Sequence, residues 1–247
     1  MGRLDKRTII VVGASSGIGL SAAQVFAKEG ANVTLSARRR ERLEAAASEI
    51  GDRALAIPCD VSHDETCHAM VEQTVAHFGE LTDVVYVAGV AKLARIANAT
   101  EADWRAVFDV NVLGPTLVTQ AALPHLIEAH GRALYISSIT TDDNPPRPGL
   151  GLYSTTKAAL NRLVECWQSE EHGVSFTRVS LGDTLATDFA AEWDPDEIMP
   201  FVKEWNTKGY LAGRYMTPED VAAHLVGLLD GPENVPISYI TPRFPVP

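Results

Sequence analysis

Five β-branched, mostly apolar residues, Thr8-Ile-Ile-Val-Val12, run straight into Gly13-Ala-Ser-Ser-Gly17-Ile-Gly19, and a helical stretch from Leu20 to Lys28 follows. A run of that length and composition suits a strand buried on both faces of a parallel sheet. Glycines between such a strand and a helix let the backbone turn tightly and approach a pyrophosphate, whose charge meets the helix N-terminus. The spacing is G-x-x-x-G-x-G, not the commoner G-x-G-x-x-G. A bare glycine trio also makes an ordinary turn. Set between strand and helix at the head of an alternating pattern, it reads as a dinucleotide site.

That pattern continues along the chain. Strands are predicted at Asn32 to Ser36, Ala54 to Pro58, Thr82 to Val87, Arg132 to Ile136 and Val174 to Val179, with a short last one at Ile237 to Ile240. Between them, helices are predicted at Arg39 to Ile50, Asp64 to Phe78 (stopped by Gly79), Tyr153 to Glu170 and Thr217 to Leu229, with Pro218 in its first turn. A long helix from Glu101 to Ala129 crosses Asn111, with Pro115 and Pro124 as bends or breaks. Such alternation gives an α/β fold of Rossmann type, a doubly wound parallel sheet with helices on both faces. We read residues 1–247 as a single domain, which a chain of this length can fill with one core.

Two segments break the rhythm. Thr140 to Gly151 is rich in proline and glycine and reads as a loop. Asp183 to Arg214 mixes Phe189, Trp193, Phe201, Trp205 and Tyr210 with several acids. It reads as a substrate lid over about 183–214, with a surface helix pair as the plainer alternative.

A formal charge of -11 argues against nucleic acid and anionic membrane surfaces as partners. Cys59, Cys67 and Cys166 are odd in number and form no C-x-x-C, as in a reduced cytoplasmic protein. No signal peptide or transmembrane span is read at the charged N-terminus. His63, His68 and His77 do not converge as a set, so no metal site is expected. Ser138 lacks the G-x-S-x-G surroundings of a hydrolase nucleophile.

Tyr153 and Lys157 stand four residues apart, one helical turn, so their side chains share a helix face. A free tyrosine, with a pKa of about 10, is a poor proton donor or acceptor at neutral pH. A neighbouring ammonium favours the phenolate, and Lys157 is expected to lower the Tyr153 pKa on that ground. Ser137 and Ser138 precede the pair at the end of a predicted strand.

Together these segments resemble the short-chain dehydrogenase/reductase family in its standard, non-extended group, from Thr8 to about Ile240. Gly13 to Gly19 resembles the family's cofactor loop, Cys59-Asp60-Val61 its adenine-facing segment, and Asn111 in Asp109-Val-Asn-Val its helical asparagine. Ser138, Tyr153 and Lys157 match the catalytic serine, tyrosine and lysine. The resemblance implies hydride transfer between a nicotinamide cofactor and a carbonyl or secondary alcohol. Tyr153 would act as general acid or base and Ser138 would hold the substrate oxygen. Lys157 would also bond the nicotinamide ribose, and Asn111 would hold a water linked to the lysine. It also implies that Gly13, Ser15, Ser16, Gly17, Ile18, Gly19, Arg38, Arg39, Asp60, Val61, Ala88, Gly89, Tyr153, Lys157, Gly182, Thr184 and Thr187 line the cofactor.

The cofactor's phosphate is legible as well. An NAD site usually carries an acid after the second strand, but here Ser36-Ala37-Arg38-Arg39-Arg40 has none. Ala37 leaves room, Arg38 can fork a 2′-phosphate and Ser15 can add a hydroxyl. NADP is therefore expected over NAD. The chain departs from the family at Tyr86-Val87, where an asparagine pair is usual, and at Leu181-Gly182, where Pro-Gly is usual.

Two alternatives stay open. One is reduction of a carrier-bound 3-ketoacyl group, which needs a basic patch that only Arg95, Arg147 and Arg214 offer. The other is a catalytically silent NADP-binding sensor or scaffold. A homodimer or homotetramer is implied by the resemblance. Ala121, Ala122 and Leu126, with Ala158, Leu163 and Trp167, are its candidate contacts, and the tail Pro242 to Pro247 either covers a neighbour's site or lies on the surface.

Overall fold

In the computed structural model, strands β1 (Thr8–Val12), β2 (Asn32–Ala37), β3 (Ala54–Pro58), β4 (Asp83–Tyr86), β5 (Arg132–Ser138) and β6 (Ser175–Leu181) pair in parallel, in the order β3-β2-β1-β4-β5-β6. The structure describes residues 2–231 apart from 186, 192, 212 and 214. The strand expected at Ile237 to Ile240, the tail Pro242 to Pro247 and Arg214 lie outside the described residues.

Successive side chains of a strand point to opposite faces, so each buried strand feeds two cores. Ile9 and Val11 join one core with Phe26 and Ala22 of α1 (Gly17–Lys28), Leu43 of α2 (Arg40–Ile50) and Leu225 of α8 (Pro218–Asp230). Ile10 and Val12 join the other with Met70 of α3 (Asp64–Phe78), Val118 of α5 (Gly114–Glu128) and Leu160 of α6 (Gly151–Glu170). The remaining helices are α4 (Glu101–Phe108) and α7 (Pro195–Thr207). Capping boxes set the starts of α4 (Thr100 with Asp103) and α8 (Thr217 with Asp220). The sheet is wound away from β1 in both directions, which opens a crevice at the carboxyl ends of β1 and β4.

The long helix expected from Glu101 to Ala129 runs unbroken from Glu101 to Glu128, but its α pattern is interrupted around Asn111. A π-helical turn, Asp109–Leu113, separates α4 from α5. There the Gly114 N–H reaches back to the Asp109 carbonyl, and Pro115 has no N–H to offer the Val110 carbonyl. Tyr86 fills that gap by donating its hydroxyl to Val110 O at 2.7 Å. Pro124, by contrast, sits inside α5 without ending it. It has no N–H to offer the Gln120 carbonyl one turn earlier, and both residues are exposed. The span Glu101–Glu128 is apolar enough by composition to cross a membrane, yet its inner face packs on the sheet.

The expected oligomer contacts need correction on α5. Ala121, Ala122 and Leu126 are buried in the chain's own core, because they lie on the α5 stripe that faces the sheet. On α6, Ala158 is exposed, while Leu163 and Trp167 are half-buried and Trp167 stacks on Phe176.

Candidate functional site

A cleft of about 670 Å³ opens in the crevice between the carboxyl ends of β1 and β4. Its walls include every residue expected to contact a cofactor, from Gly13 to Gly19, through Arg38, Arg39, Asp60, Val61, Ala88 and Gly89, to Gly182, Thr184 and Thr187. Ser138, Tyr153 and Lys157 line it too. Asn111 stands behind the wall, fully buried.

The glycine loop is built for close approach. Gly13 has φ +92, and a Cβ there would lie 2.7 Å from the Ala88 nitrogen, so only glycine lets β1 pass the turn after β4. A Cβ on Gly19 would strike the Gly13 carbonyl, so the first turn of α1 rests directly on the loop. That first turn carries no acid, and its N-cap Ser16 makes no side-chain cap bond. Its N–H groups and the positive end of the helix suit a pyrophosphate. Thr187 lies across the loop, 3.3 Å from where a Gly17 Cβ would sit.

The two arginines expected at the cofactor both line the cleft but make different contacts. Arg39, rather than Arg38, grips the loop: its Nη2 donates to Ser15 Oγ at 2.7 Å and Ser16 Oγ at 2.8 Å. The Arg39 backbone is the N-cap of α2, which swings its side chain back over the loop. Arg38 is exposed on the cleft wall, and its charge helps lower Asp60. The larger cause there is Ser62, whose hydroxyl donates to Asp60 Oδ1 at 2.7 Å.

At the other end of the cleft, β5 runs two residues further than its predicted end and carries both serines in register with Ser180 and Leu181. The strand's alternation sends Ser137 away, to donate to Asn161 Oδ1 at 2.6 Å. Ser138 lines the cleft together with Tyr153, and its hydroxyl acts to lower the phenol's pKa. Its Oγ also accepts from Thr140 N at 3.2 Å, which fixes its rotamer. Tyr153 and Lys157 rise from one face of α6, with Lys157 Nζ 5.7 Å from the tyrosine ring centroid. Lys157 donates to the Ile136 carbonyl at 2.8 Å and is 2% exposed. Asn111 holds the segment after β4: its Oδ1 accepts from Val90 N and its Nδ2 donates to Val90 O and Thr156 Oγ1, each at 2.9 Å.

The tyrosine's electrostatics reverse the sequence expectation. Burial pushes Tyr153 up to about 12, and it outweighs the lowering by the Ser138 hydroxyl and then by the Arg147 charge. Burial likewise pushes Lys157 down to about 8. Desolvation disfavours both charged forms, so in this cleft the lysine does not make the phenol acidic.

Sequence reasoning gave Arg147 only to a basic patch beside the mouth, and placed Asp183, Asp188 and Phe189 in the lid without assigning them partners. Arg147 is 3% exposed and forms ion pairs of 3.0 Å with both Asp143 and Asp183. Arg95 is tied to Glu204 at 2.6 Å. Of the three candidates for a carrier-binding patch, Arg147 is thus buried and paired and Arg95 is paired on the exposed surface, while Arg214 lies outside the described residues. The Phe189 ring meets Tyr153 edge-on, 4.9 Å between centroids, and Trp193 continues the stack at 5.2 Å. Trp193 donates to Ala91 O at 3.2 Å, and Trp205 to Pro148 O at 2.7 Å, so segment 188–205 is fastened on both sides of the cleft. The run of aromatics signalled this cover, but no local pattern shows which ring lands on Tyr153.

A family model described as short chain dehydrogenase matches residues 7–198. The Arabidopsis thaliana protein named 11-beta-hydroxysteroid dehydrogenase-like 3 is 36% identical over 170 residues, 67% of this chain and 54% of its own length. The chain thus spans about half of that relative. An uncharacterized oxidoreductase of Staphylococcus aureus (strain USA300) is 28% identical over 97% of this chain and 98% of its own. Among solved structures, an alcohol dehydrogenase from the archaeon Thermococcus sibiricus complexed with 5-hydroxy-NADP superposes with a TM-score of 0.82, at 26% identity and 95% coverage of both chains. A 3-ketoacyl-(acyl-carrier-protein) reductase from Brucella melitensis complexed with NADH gives 0.83, at 25% identity and 97% coverage of both.

Proposed function

This chain belongs to the short-chain dehydrogenase family, and on that premise we propose that it transfers a hydride between NADP(H) and a carbonyl or secondary alcohol. One observation carries the reading: Ser138, Tyr153 and Lys157 meet at one end of a cleft whose other end is the glycine loop and its arginines. The glycine cradle and the open first turn of α1 fit a dinucleotide pyrophosphate. Arg38, Arg39 and Ser15 would hold a 2′-phosphate, Asp60 and Val61 would flank the adenine, and Gly182, Thr184 and Thr187 would flank the nicotinamide. When bound, the nicotinamide supplies or accepts the hydride.

Ser138 accepts hydrogen bonds from Thr140 and keeps its hydroxyl beside the phenol, so it would hold a substrate oxygen within reach of Tyr153. In reduction, the Tyr153 O–H bond breaks as its proton passes to the carbonyl oxygen, and in oxidation the phenolate takes that proton back. A phenol pushed up to about 12 is fully protonated at neutral pH, which suits the reducing direction. Lys157 would bond the cofactor ribose and return a proton to the phenolate through it. Asn111 fixes Val90 and Thr156 around the lysine.

Segment 183–214 acts as a lid whose aromatic residues exclude water, and they favour a partly apolar acceptor. The steroid-named relatives support the same substrate class. We take the assembly to be a homodimer or homotetramer, with the exposed α6 face around Ala158 as the contact.

The test is oxidation of NADPH and NADH against a carbonyl panel, with secondary alcohols and NADP in reverse. NADPH-dependent turnover that disappears in Tyr153→Phe supports the reading. Tight NADPH binding without turnover points to a sensor, and no binding of either nucleotide refutes it.

A further inference from the structure

Asp188 belongs to the lid, yet its carboxylate lies in the arginine site. Arg39 Nη1 donates to Asp188 Oδ2 at 2.6 Å, and Arg42 Nη1 donates to the same oxygen at 3.1 Å. The other arm of the Arg39 fork rests on Ser15 and Ser16. One guanidinium therefore bridges the glycine loop and the lid. Arg38 and Arg40 are nearby cations, and Arg40 is engaged by Glu44 at 3.3 Å. These groups form a cradle for an anion, and within it Asp188 is the anion seated on both Arg39 and Arg42.

We infer that Asp188 is an internal stand-in for the cofactor's 2′-phosphate, and that the phosphate displaces it. The inference rests on the NADP reading above and goes further, assigning a cofactor-discriminating role to a lid residue. The chemistry of exchange is simple. A phosphate monoester carries about −1.5 to −2 charges and three acceptor oxygens, against one charge and two oxygens on a carboxylate. Both arginines can therefore trade Asp188 for a better acceptor. NAD(H) has no such group, so it has nothing to offer in exchange.

The displaced residue is also well placed. Asp188 adjoins Phe189, whose ring covers Tyr153. Loss of the Arg39 and Arg42 contacts removes the ties that hold Asp188 to the cofactor side of the cleft. Arrival of a 2′-phosphate would thus loosen the cover over the phenol before any substrate binds. The Arg39–Asp188 pair is half-exposed, so its effect on affinity is modest and sensitive to salt.

The test is calorimetric titration of 2′,5′-ADP and 5′-AMP into the wild type and Asp188→Asn at low ionic strength. Neither probe reaches the nicotinamide end, so the lid's aromatic contacts do not enter the comparison directly. Asp188→Asn is expected to tighten 2′,5′-ADP about three- to tenfold, the scale of freeing two exposed arginine contacts, and to leave 5′-AMP within about twofold. If both ligands tighten or loosen by the same factor, Asp188 is a clasp over the dinucleotide and the inference fails. If both chains prefer 2′,5′-ADP to the same degree, the NADP reading stands and the stand-in role falls. If neither chain prefers 2′,5′-ADP, the NADP reading fails and the inference falls with it.

Discussion

Replacing Tyr86 by phenylalanine tests how the π-helical turn before α5 is held together. Tyr86 is fully buried, and its hydroxyl is the donor to the Val110 carbonyl at 2.7 Å. In a regular α-helix, Gly114 or the residue after it would supply that donor. Here Gly114 bonds Asp109, and Pro115 has no N–H. Tyr86→Phe therefore removes the one side-chain donor from a carbonyl whose two backbone donors are already lost. Such a loss costs about 1–3 kcal/mol, and with both backbone donors gone the value belongs near about 2 kcal/mol. For a chain of this size that is a fall of about 4–8 °C in Tm. Thermal and urea unfolding of the wild type, Tyr86→Phe, Pro115→Ala and the double variant form a cycle. Pro115→Ala restores an N–H, so Tyr86→Phe is expected to cost about 1 kcal/mol less in that background. A Tyr86→Phe variant within about 0.5 kcal/mol of the wild type, or an additive cycle, would refute the account.

Three further outcomes are expected. Tyr153→Phe should lose about 10²–10⁴-fold in turnover while its nucleotide affinity, read by titration, stays unchanged. Because burial pushes Tyr153 up to about 12, kcat/KM for alcohol oxidation by the free enzyme should keep rising through alkaline pH. Arg147→Met removes a charge that lowers the phenol and should move that limb further alkaline; an unmoved or more acidic limb would count against Arg147 acting on Tyr153. Lys157 is pushed down from 10.5 to about 8, so the unfolded chain binds its proton more readily than the folded one. Its charge therefore costs stability below about pH 8, and that cost fades as pH rises toward 10.5. Lys157→Met should abolish turnover yet raise the unfolding free energy at pH 7, by about 1–3 kcal/mol after the lost bond to Ile136 O is offset, with the gain vanishing near pH 10.5. No gain at pH 7 would mean that the ammonium is better solvated than its burial implies.

The alternation of β-branched runs with helical stretches was enough to place the six strands and most helix ends, because both signals are local: side-chain period, glycine punctuation and caps. The α3 limits and the Ser137 and Ser138 division followed from the same rules, the second because neighbouring strand residues must face opposite ways. The π-helical turn at Asn111 was not legible. Pro115 and Pro124 look alike in sequence, and only burial and the reach of Tyr86 from β4 separate a proline beside a π turn from one inside a regular α-helix.

The cleft divides along the same line. Sequence by itself determined that a glycine loop, an arginine cluster and the Ser138, Tyr153 and Lys157 set would exist, and on which elements, since spacing along a strand or helix sets direction. Tertiary structure decided that Arg39 takes the loop, that Asp188 answers it from 149 residues away, and that Phe189 covers Tyr153. It also decided the sign of the tyrosine's shift. A pKa depends on how much water the fold removes from a group and which charges it brings near, and neither quantity is a property of the neighbouring residues in the chain.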